Sequence, residues 1–381
     1  MVASAGIIII GDEILSGRTK DSNINWIACE LDNLGIRLKE ARIIPDDPST
    51  IIRTIQGISK KYSYVFSCGG FGPTHDDITT ECVAKAFNQK LYKDTEAIRR
   101  LKLHYEGTKI DFNEARQKMA IVPRNSKLID NPVSAAPGYR IENLFVFAGV
   151  PKIMQGMFNS ILNDLCHDYI LKNDATPAPL NYRGFPKSTC ISVNHVVCHG
   201  IPGDKILDEG DILNIDVTVI LDGWYGDTSR MYFVGEPSRK AKFLTKITYE
   251  CLWLGIETVK PGSTTGDIGH AIQTHAEKNG LSVVRDFTGH GLGKVFHAPP
   301  TILHYGQPNT GDVLEEGMIF TIEPMINSGK YDVKILSDGW TAVTRDKSLS
   351  AQFEHSIGVT SNGYEVFTNS PKGYTQPDYP I

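Results

Sequence analysis

Between Asp211 and Val234 the sequence specifies an antiparallel hairpin tightly enough to fix which side chains share a face. In Asp211-Ile-Leu-Asn-Ile-Asp-Val-Thr-Val-Ile220, Leu213, Ile215, Val217 and Val219 alternate with Asn214, Asp216 and Thr218. That period of two belongs to a strand with one apolar face. Asp222-Gly223 is a two-residue turn signal, because both residues tolerate the positive φ a tight hairpin needs. With that turn, Asp216 lies opposite Ser229, and Asp227 becomes its diagonal neighbour on the same face. Diagonal neighbours are roughly 7–8 Å apart at the backbone, near enough for two carboxylates to converge on a cation. Taken alone, a solvated polar face is the simpler explanation, since most polar strand faces are wet.

Other residues shift that balance. Glu323 sits in the apolar β segment Ile319-Phe-Thr-Ile-Glu-Pro-Met325, and Glu354 in Ser350-Ala-Gln-Phe-Glu-His-Ser-Ile357. A buried carboxylate is costly without a partner such as a metal or an arginine. His290 lies in Gly289-His-Gly-Leu-Gly293, where glycines allow close backbone approach. Oxygen ligands with a single imidazole suit manganese, iron(II) or cobalt, and zinc less well. Two cations sharing four carboxylates would bridge a water and lower its pKa toward neutrality, giving a nucleophile for amide hydrolysis.

A chain of 381 residues exceeds one ordinary core, so two domains are expected. With 41% hydrophobic and 22% charged residues the composition is globular. A net charge of −5 gives no footprint for nucleic acid or an anionic membrane. The apolar run Ile7–Ile10 ends at Gly11-Asp-Glu13, too short for a membrane span or a signal peptide. Seven cysteines without a CxxC pair read as reduced thiols, and the expected location is cytoplasmic.

Over roughly residues 1–165 short apolar runs alternate with helical patterns. Strands are expected at Gly6–Ile10, Tyr64–Cys68 and Leu144–Ala148, and helices at Ser22–Leu34 and Ile78–Asn88. This predicts an α/β/α three-layer domain with a largely parallel sheet. From about residue 185 the texture is α+β, with strands at Cys190–Val197, Asp211–Ile220, Trp224–Val234, Met318–Ile326 and Ala351–Val359. Helices are expected near Ser238–Thr258 and Thr265–Asn279. Phe158–Asp174 reads as one helix across the join, with no flexible spacer. The division is therefore 1–165, 166–370 and a polar tail at 371–381. In the first part, Cys68-Gly-Gly-Phe-Gly-Pro-Thr-His-Asp-Asp-Ile-Thr79 follows a strand and precedes a helix, an arrangement suited to holding a phosphate on backbone N–H groups. Asp76 and Asp77 would repel a bare phosphate, which implies bridging magnesium or a hydroxyl-bearing ligand. A glycine turn capped by Thr74 or Asp76 explains the same residues.

Gly184–Asn194, Val196–Pro202, Asn214–Val219, Gly226–Ser229, Thr288–Gly293, Phe296-His297, Phe320–Met325, Asp338–Trp340 and Ser348–His355 together resemble type I methionine aminopeptidase, in unbroken order from about Cys166 to Thr368. The resemblance implies a pita-bread fold lacking its first helices. It also implies a two-metal site at Asp216, Asp227, His290, Glu323 and Glu354, with Asp227 and Glu354 bridging. The activity it implies is removal of N-terminal methionine from nascent proteins, with the ribosome exit region as an expected place of work. His199 and His297 match the substrate-contacting histidines, and Glu323 also the proton shuttle. Tyr182, Cys190, Phe296 and Trp340 match the methionine pocket, where ordinary core packing explains them almost as well. Pro179 and Arg183 depart from the family at the pocket edge. His304, His355 and Cys198 read as structural. The absent helices would leave apolar surface bare unless the upstream module covers it.

The glycine loop, with Gly11–Gly17, Asn23-Ile-Asn25, Ala136-Pro-Gly138 and Gly149-Val-Pro151, resembles the molybdopterin-binding domain of the competence-damage-inducible protein A family. That implies a ligand pocket at Gly69, Gly70, Gly72, Thr74, Asp76 and Asp77 for a magnesium-bound pterin or nucleotide phosphate. Some members of the family hydrolyse ADP-ribose. A second reading thus makes this module the working part and the aminopeptidase half an inactive remnant. A third is a non-catalytic binder on the aminopeptidase fold, which would have no need of all five ligands.

Overall fold

In a computed structural model, residues 3–33, 36–70, 77–106, 112–131, 134–203, 207–377 and 379 are described. The chain divides into two compact units, with the main break between Ile161 and Leu162.

The first unit is built on a six-stranded sheet. Arg37–Ile44, Ser4–Ile10, Tyr64–Cys68 and Leu144–Phe147 run parallel, and Gly138–Ile141 and Lys127–Ile129 complete the sheet antiparallel. Alternation along the central strands buries both faces. Ile8, Ile10, Val65, Leu144 and Val146 join Ile51, Ile55 and Ile58 of the helix Pro48–Ser59. On the other face Phe66 stacks with Phe145 and Phe147, and Phe158 packs against Phe66 and Trp26. Helices therefore cover both faces, as three layers require. The strand Arg37–Ile44 has no apolar alternation, its burial being confined to Ile44, and hydrophobic periodicity does not reveal it.

The second unit is the α+β pita-bread fold. Its nine-stranded sheet runs Cys190–Val193, Ile212–Leu221, Trp224–Phe233, Glu354–Val359, Ile319–Ile322, Gly289–Gly291, Ala298–Ile302, with Thr176–Pro177 and Tyr364–Val366 paired alongside. The pairings within it are antiparallel. Helices Arg239–Ile256 and Thr265–Lys278 bury Leu244, Cys251, Ile268 and Ile272 in one core with Phe320, Ile322, Phe353 and Ile357. Ser238 caps the first helix by accepting from the Ala241 N–H at 3.2 Å, and Thr264 with Asp267 forms a capping box on the second.

Three expected strands are each two. Cys190–Val197 turns at Asn194, whose φ is 55°, so that Val196–Cys198 joins a different sheet. Met318–Ile326 breaks at Glu323-Pro324, and Ala351–Val359 breaks at Phe353; their outer halves, Met325–Asn327 and Ser350–Gln352, pair in a separate three-stranded sheet.

The helix at the join is longer than expected, Pro151–Lys172. Its second half packs as part of the second unit: Leu165 and Ile170 are buried, Asn163 accepts from the Ser188 N–H at 2.8 Å, and His167 meets the Ser188 hydroxyl at 2.8 Å. Beyond residue 370, Arg230 donates to the Tyr374 carbonyl at 2.6 Å and the Tyr379 hydroxyl to that of Met231 at 2.8 Å. The strand Trp224–Phe233 is thus covered by the chain's own tail. No described helix is long and apolar enough to cross a membrane.

Candidate metal centre

The hairpin has the register its sequence specifies: Asp216 pairs with Ser229, and Thr218 with Asp227. Asp222 and Gly223 hold φ of 51° and 81° at the turn, both positive as a type I′ turn demands. Glu354 pairs with Ser229 from the next strand. Three carboxylates are thereby brought together by strand pairing alone. Glu323 enters from the end of Ile319–Ile322, and His290 from the strand Gly289–Gly291 beside it.

Ligand atoms of Asp227, His290 and Glu354 lie within 4.8 Å of one another. His290 Nε2 is 3.7 Å from Asp227 Oδ2 and from Glu323 Oε1. Burial lowers the pKa of His290, so it is neutral and these are not ion pairs. At 3.7 Å they are too long for hydrogen bonds, and they suit two ligands sharing a cation through bonds of about 2.1 Å. The tautomer agrees: His290 Nδ1 is 3.1 Å from the Gly291 carbonyl, so Nδ1 carries the proton and Nε2 offers a lone pair.

All four carboxyls have raised pKa values, first because they are buried and, for Asp216, Glu323 and Glu354, then through the charge of neighbouring acids. Asp227 is pushed up to about 7, while Asp216, Glu323 and Glu354 stand well above the usual carboxylate range. Asp216 Oδ1 is buried without a hydrogen-bond partner. Closely packed acids with an orphaned oxygen and a neutral imidazole are costly unless cations join them. The donor set therefore fits divalent metal.

Supporting groups hold the acids in place. Thr218 donates to Asp227 Oδ1 at 2.7 Å, Thr321 to Glu323 Oε1 at 2.8 Å, and Gln352 to Glu323 Oε2 at 3.2 Å. Ser356 donates to the Asp227 carbonyl and accepts from its N–H. His304, read from the sequence as structural, accepts the Glu323 N–H at 3.1 Å; burial pushes its pKa down to about 3, so it is neutral. Thr218 was legible on the polar face of the hairpin; His304 and Ser356 carry no pattern that marks them.

The five residues line one cavity of about 580 Å³, together with His199, His297, Tyr182, Cys190, Phe296 and Trp340. Tyr182 packs on Phe296 at 4.8 Å, and its hydroxyl meets His297 Nδ1 at 2.8 Å. Trp340 packs against Phe185 and His199. His199 has a φ of 54°, a left-handed conformation that non-glycine residues adopt at some cost, often at functional sites. Burial lowers its pKa, and burial with the neighbouring His290 lowers that of His297 to about 4. Pro179 and Arg183 also line the cavity, whereas His355 bonds to Thr368 outside it.

In the first unit Gly69 and Gly70 follow the strand Tyr64–Cys68, with φ of 102° and 58°. The Thr79 hydroxyl donates to the Gly69 carbonyl at 3.0 Å. Asp77 and Gly70 border a cavity of about 80 Å³. Gly72, Thr74 and Asp76 lie outside the described residues.

The fold and the acidic centre define a metallopeptidase. A family model for metallopeptidase family M24 matches residues 142–361, and one for a probable molybdopterin binding domain matches residues 6–167. The chain belongs to metallopeptidase family M24 and carries a molybdopterin-binding-type domain at its N-terminal side. Both matches include residues 142–167, which reach into the helix at the join. Among individual relatives, the methionine aminopeptidase of Rickettsia prowazekii is 66% identical over 220 residues, covering 57% of this chain and 85% of that protein. That of Escherichia coli K12 is 52% identical over 220 residues, covering 57% and 83%. The crystal structure of the Rickettsia prowazekii enzyme superposes with a TM-score of 0.55 at 64% identity, covering 55% of this chain and 85% of that one. That of Thermotoga maritima methionine aminopeptidase gives 0.52 at 39%, covering 57% and 94%.

Proposed function

We propose that this protein removes N-terminal methionine from other proteins, with Asp216, Asp227, His290, Glu323 and Glu354 holding two divalent cations and Asp227 and Glu354 shared between them. The observation that carries the reading is the convergence of these five residues in a cavity walled by aromatic rings, with none of the four acids ion-paired to a lysine or arginine among the described residues. Manganese, iron(II) or cobalt suits such a set best. The cations, when bound, supply Lewis acidity and activate water at neutral pH.

The chain's own groups do the rest. Tyr182, Cys190, Phe296 and Trp340 receive the methionine side chain, a flexible apolar group that aromatic walls accommodate well. With the Tyr182 hydroxyl donating to Nδ1, neutral His297 keeps its Nε2–H to donate to the scissile carbonyl. His199, also neutral, hydrogen-bonds the leaving amide. Glu323, oriented by Thr321 and Gln352, carries the proton from water to that amide, a role that suits a carboxyl with raised pKa. In the first domain, the turn at Gly69-Gly70 is a binding place for a pterin or nucleotide phosphate. Two successive glycines of positive φ give the strand-to-helix turn a backbone without Cβ atoms, which lets an anion approach closely.

Release of methionine from a Met-Ala-Ser peptide, measured after chelation and again after adding manganese or cobalt, tests the reading. Metal-dependent release lost in Glu323→Gln is expected. Folded, metal-loaded protein that releases none would make the second domain a remnant.

A further inference from the structure

One guanidinium stands in the acidic cavity. Among the described residues lining it, Arg183 is the single lysine or arginine, against Asp216, Asp227, Glu323, Glu354 and Asp286. Two divalent cations would cancel the charge of the four buried acids. Arg183 and Asp286, both exposed, would then set the sign at the open side.

The backbone holds Arg183 in an unusual way. Its φ is 47° and ψ 27°, in a tight turn between Asn181, with φ 65°, and Gly184, with φ 90°. Left-handed geometry is unfavourable for a non-glycine residue. The turn lays the guanidinium over the Tyr182 ring, 5.3 Å from its centroid. Tyr182 in turn contacts Phe296 and His297. Arg183 thus extends the wall that holds the methionine and the scissile bond. Among the described residues no carboxylate forms an ion pair with it.

We infer that Arg183 is a specificity-determining residue, favouring substrates with an aspartate or glutamate as third residue. This rests on the aminopeptidase reading. Methionine and its amino group occupy the buried part of the cavity, and the second residue follows the scissile bond past His297. An extended chain advances about 3.3 Å per residue, so the third side chain is the first to emerge at the exposed rim. An exposed ion pair contributes about 0.2–1 kcal/mol. Attraction for aspartate and repulsion of lysine together give roughly a fivefold preference at low salt. Because the contact is made equally before and during reaction, the preference belongs in KM and not in kcat.

The test uses the manganese-loaded full chain with C-terminally amidated Met-Ala-Asp-Ala, Met-Ala-Ser-Ala and Met-Ala-Lys-Ala. The expected order of kcat/KM is Asp, Ser, Lys, flattened by 0.5 M salt. Arg183→Gln should abolish the order, Arg183→Lys keep it and Arg183→Glu reverse it. Lys294→Gln, an exposed charge stacked on Trp224 and not among the residues lining the cavity, serves as control and should leave it unchanged. Equal rates for the three peptides, an order that survives Arg183→Gln, or an equal loss in Lys294→Gln would overturn the inference while leaving the aminopeptidase reading intact. If no peptide is cleaved, that reading fails. Calorimetric titration of the same peptides then decides the matter: tighter binding of the acidic peptide, lost in Arg183→Gln, upholds Arg183, and equal binding overturns it.

Discussion

The placement of His290 depends on strands that only glycine allows to approach, and Gly291→Ala tests that dependence. Gly291 has no positive φ, so alanine suits its backbone and the whole effect is steric. A Cβ there would lie 2.7 Å from the Ala298 carbonyl oxygen and nearer still to that of Pro299. Both obstacles are backbone atoms, so no side chain can swing aside. Restoring van der Waals contact requires the strands Gly289–Gly291 and Ala298–Ile302 to part by more than about 1 Å. Metal ligands keep their distances within about 0.2 Å, so a shift transmitted to His290 weakens binding. Overpacking of this kind costs about 1–3 kcal/mol, and a 1 Å misplacement lowers turnover about 100-fold. Gly226→Ala is the matched control. It adjoins Asp227 but has open space, with Val219 Cγ2 4.0 Å away as the nearest atom, and should be neutral or stabilising by up to about 1 kcal/mol. Scanning calorimetry, manganese titration and methionine release measure all three effects. Gly291→Ala protein that binds manganese and turns over like the parent would refute the argument that strand spacing positions His290.

Asp227→Asn, which keeps shape and removes charge, should abolish binding of divalent cations in calorimetric titration while far-UV circular dichroism stays unchanged. In the metal-free chain, stability should fall between pH 6.5 and 8. Acids with raised pKa hold protons there that the unfolded chain has released, at about 1.4 kcal/mol per pH unit for each proton. The buried histidines, with pKa values lowered by burial, act in the opposite direction, but only below their unfolded pKa of about 6.5. Manganese should reverse the trend, because it binds the deprotonated acids; urea midpoints that rise with pH without metal would contradict this. His304→Leu leaves the Glu323 N–H unpaired in the interior and should cost about 1–3 kcal/mol. It should also lower kcat, and an unchanged kcat would show that His304 does not position Glu323.

Local pattern carried some of this structure and not the rest. The hairpin was legible because alternation and an Asp-Gly turn fix register without help from elsewhere, and that register unites Asp216 with Asp227. The parallel strand Arg37–Ile44 was not, because its pairing with Ser4–Ile10 depends on a neighbour and not on its own periodicity. The helix at the join was seen as continuous, but its packing was not: Leu165 and Ile170 are buried in the second unit, and no pattern within a helix names its partner. The tail read as polar for the same reason, although Tyr379 packs on Tyr232 at 5.4 Å.

The broken strands explain why the acids meet where they do. Ile322 pairs with His355 in the large sheet, while Met325 pairs with Gln352 in the small one. Both strands therefore leave one sheet for the other at the same level, and Glu323 and Glu354 flank the crossing. Pro324 cannot donate to a ladder, and the crossing frees backbone groups that need other partners. His304 takes the Glu323 N–H at 3.1 Å, and Asn214 donates to the Gln352 carbonyl at 2.8 Å. The sequence shows these segments as continuous β runs because apolar residues continue on both sides of the break. Where two sheets part, side chains can enter the gap without opposing a neighbour in the ladder, and buried acids can share space with an imidazole. His304 and Asn214, polar residues that meet backbone groups at the break, make that gap affordable to the backbone.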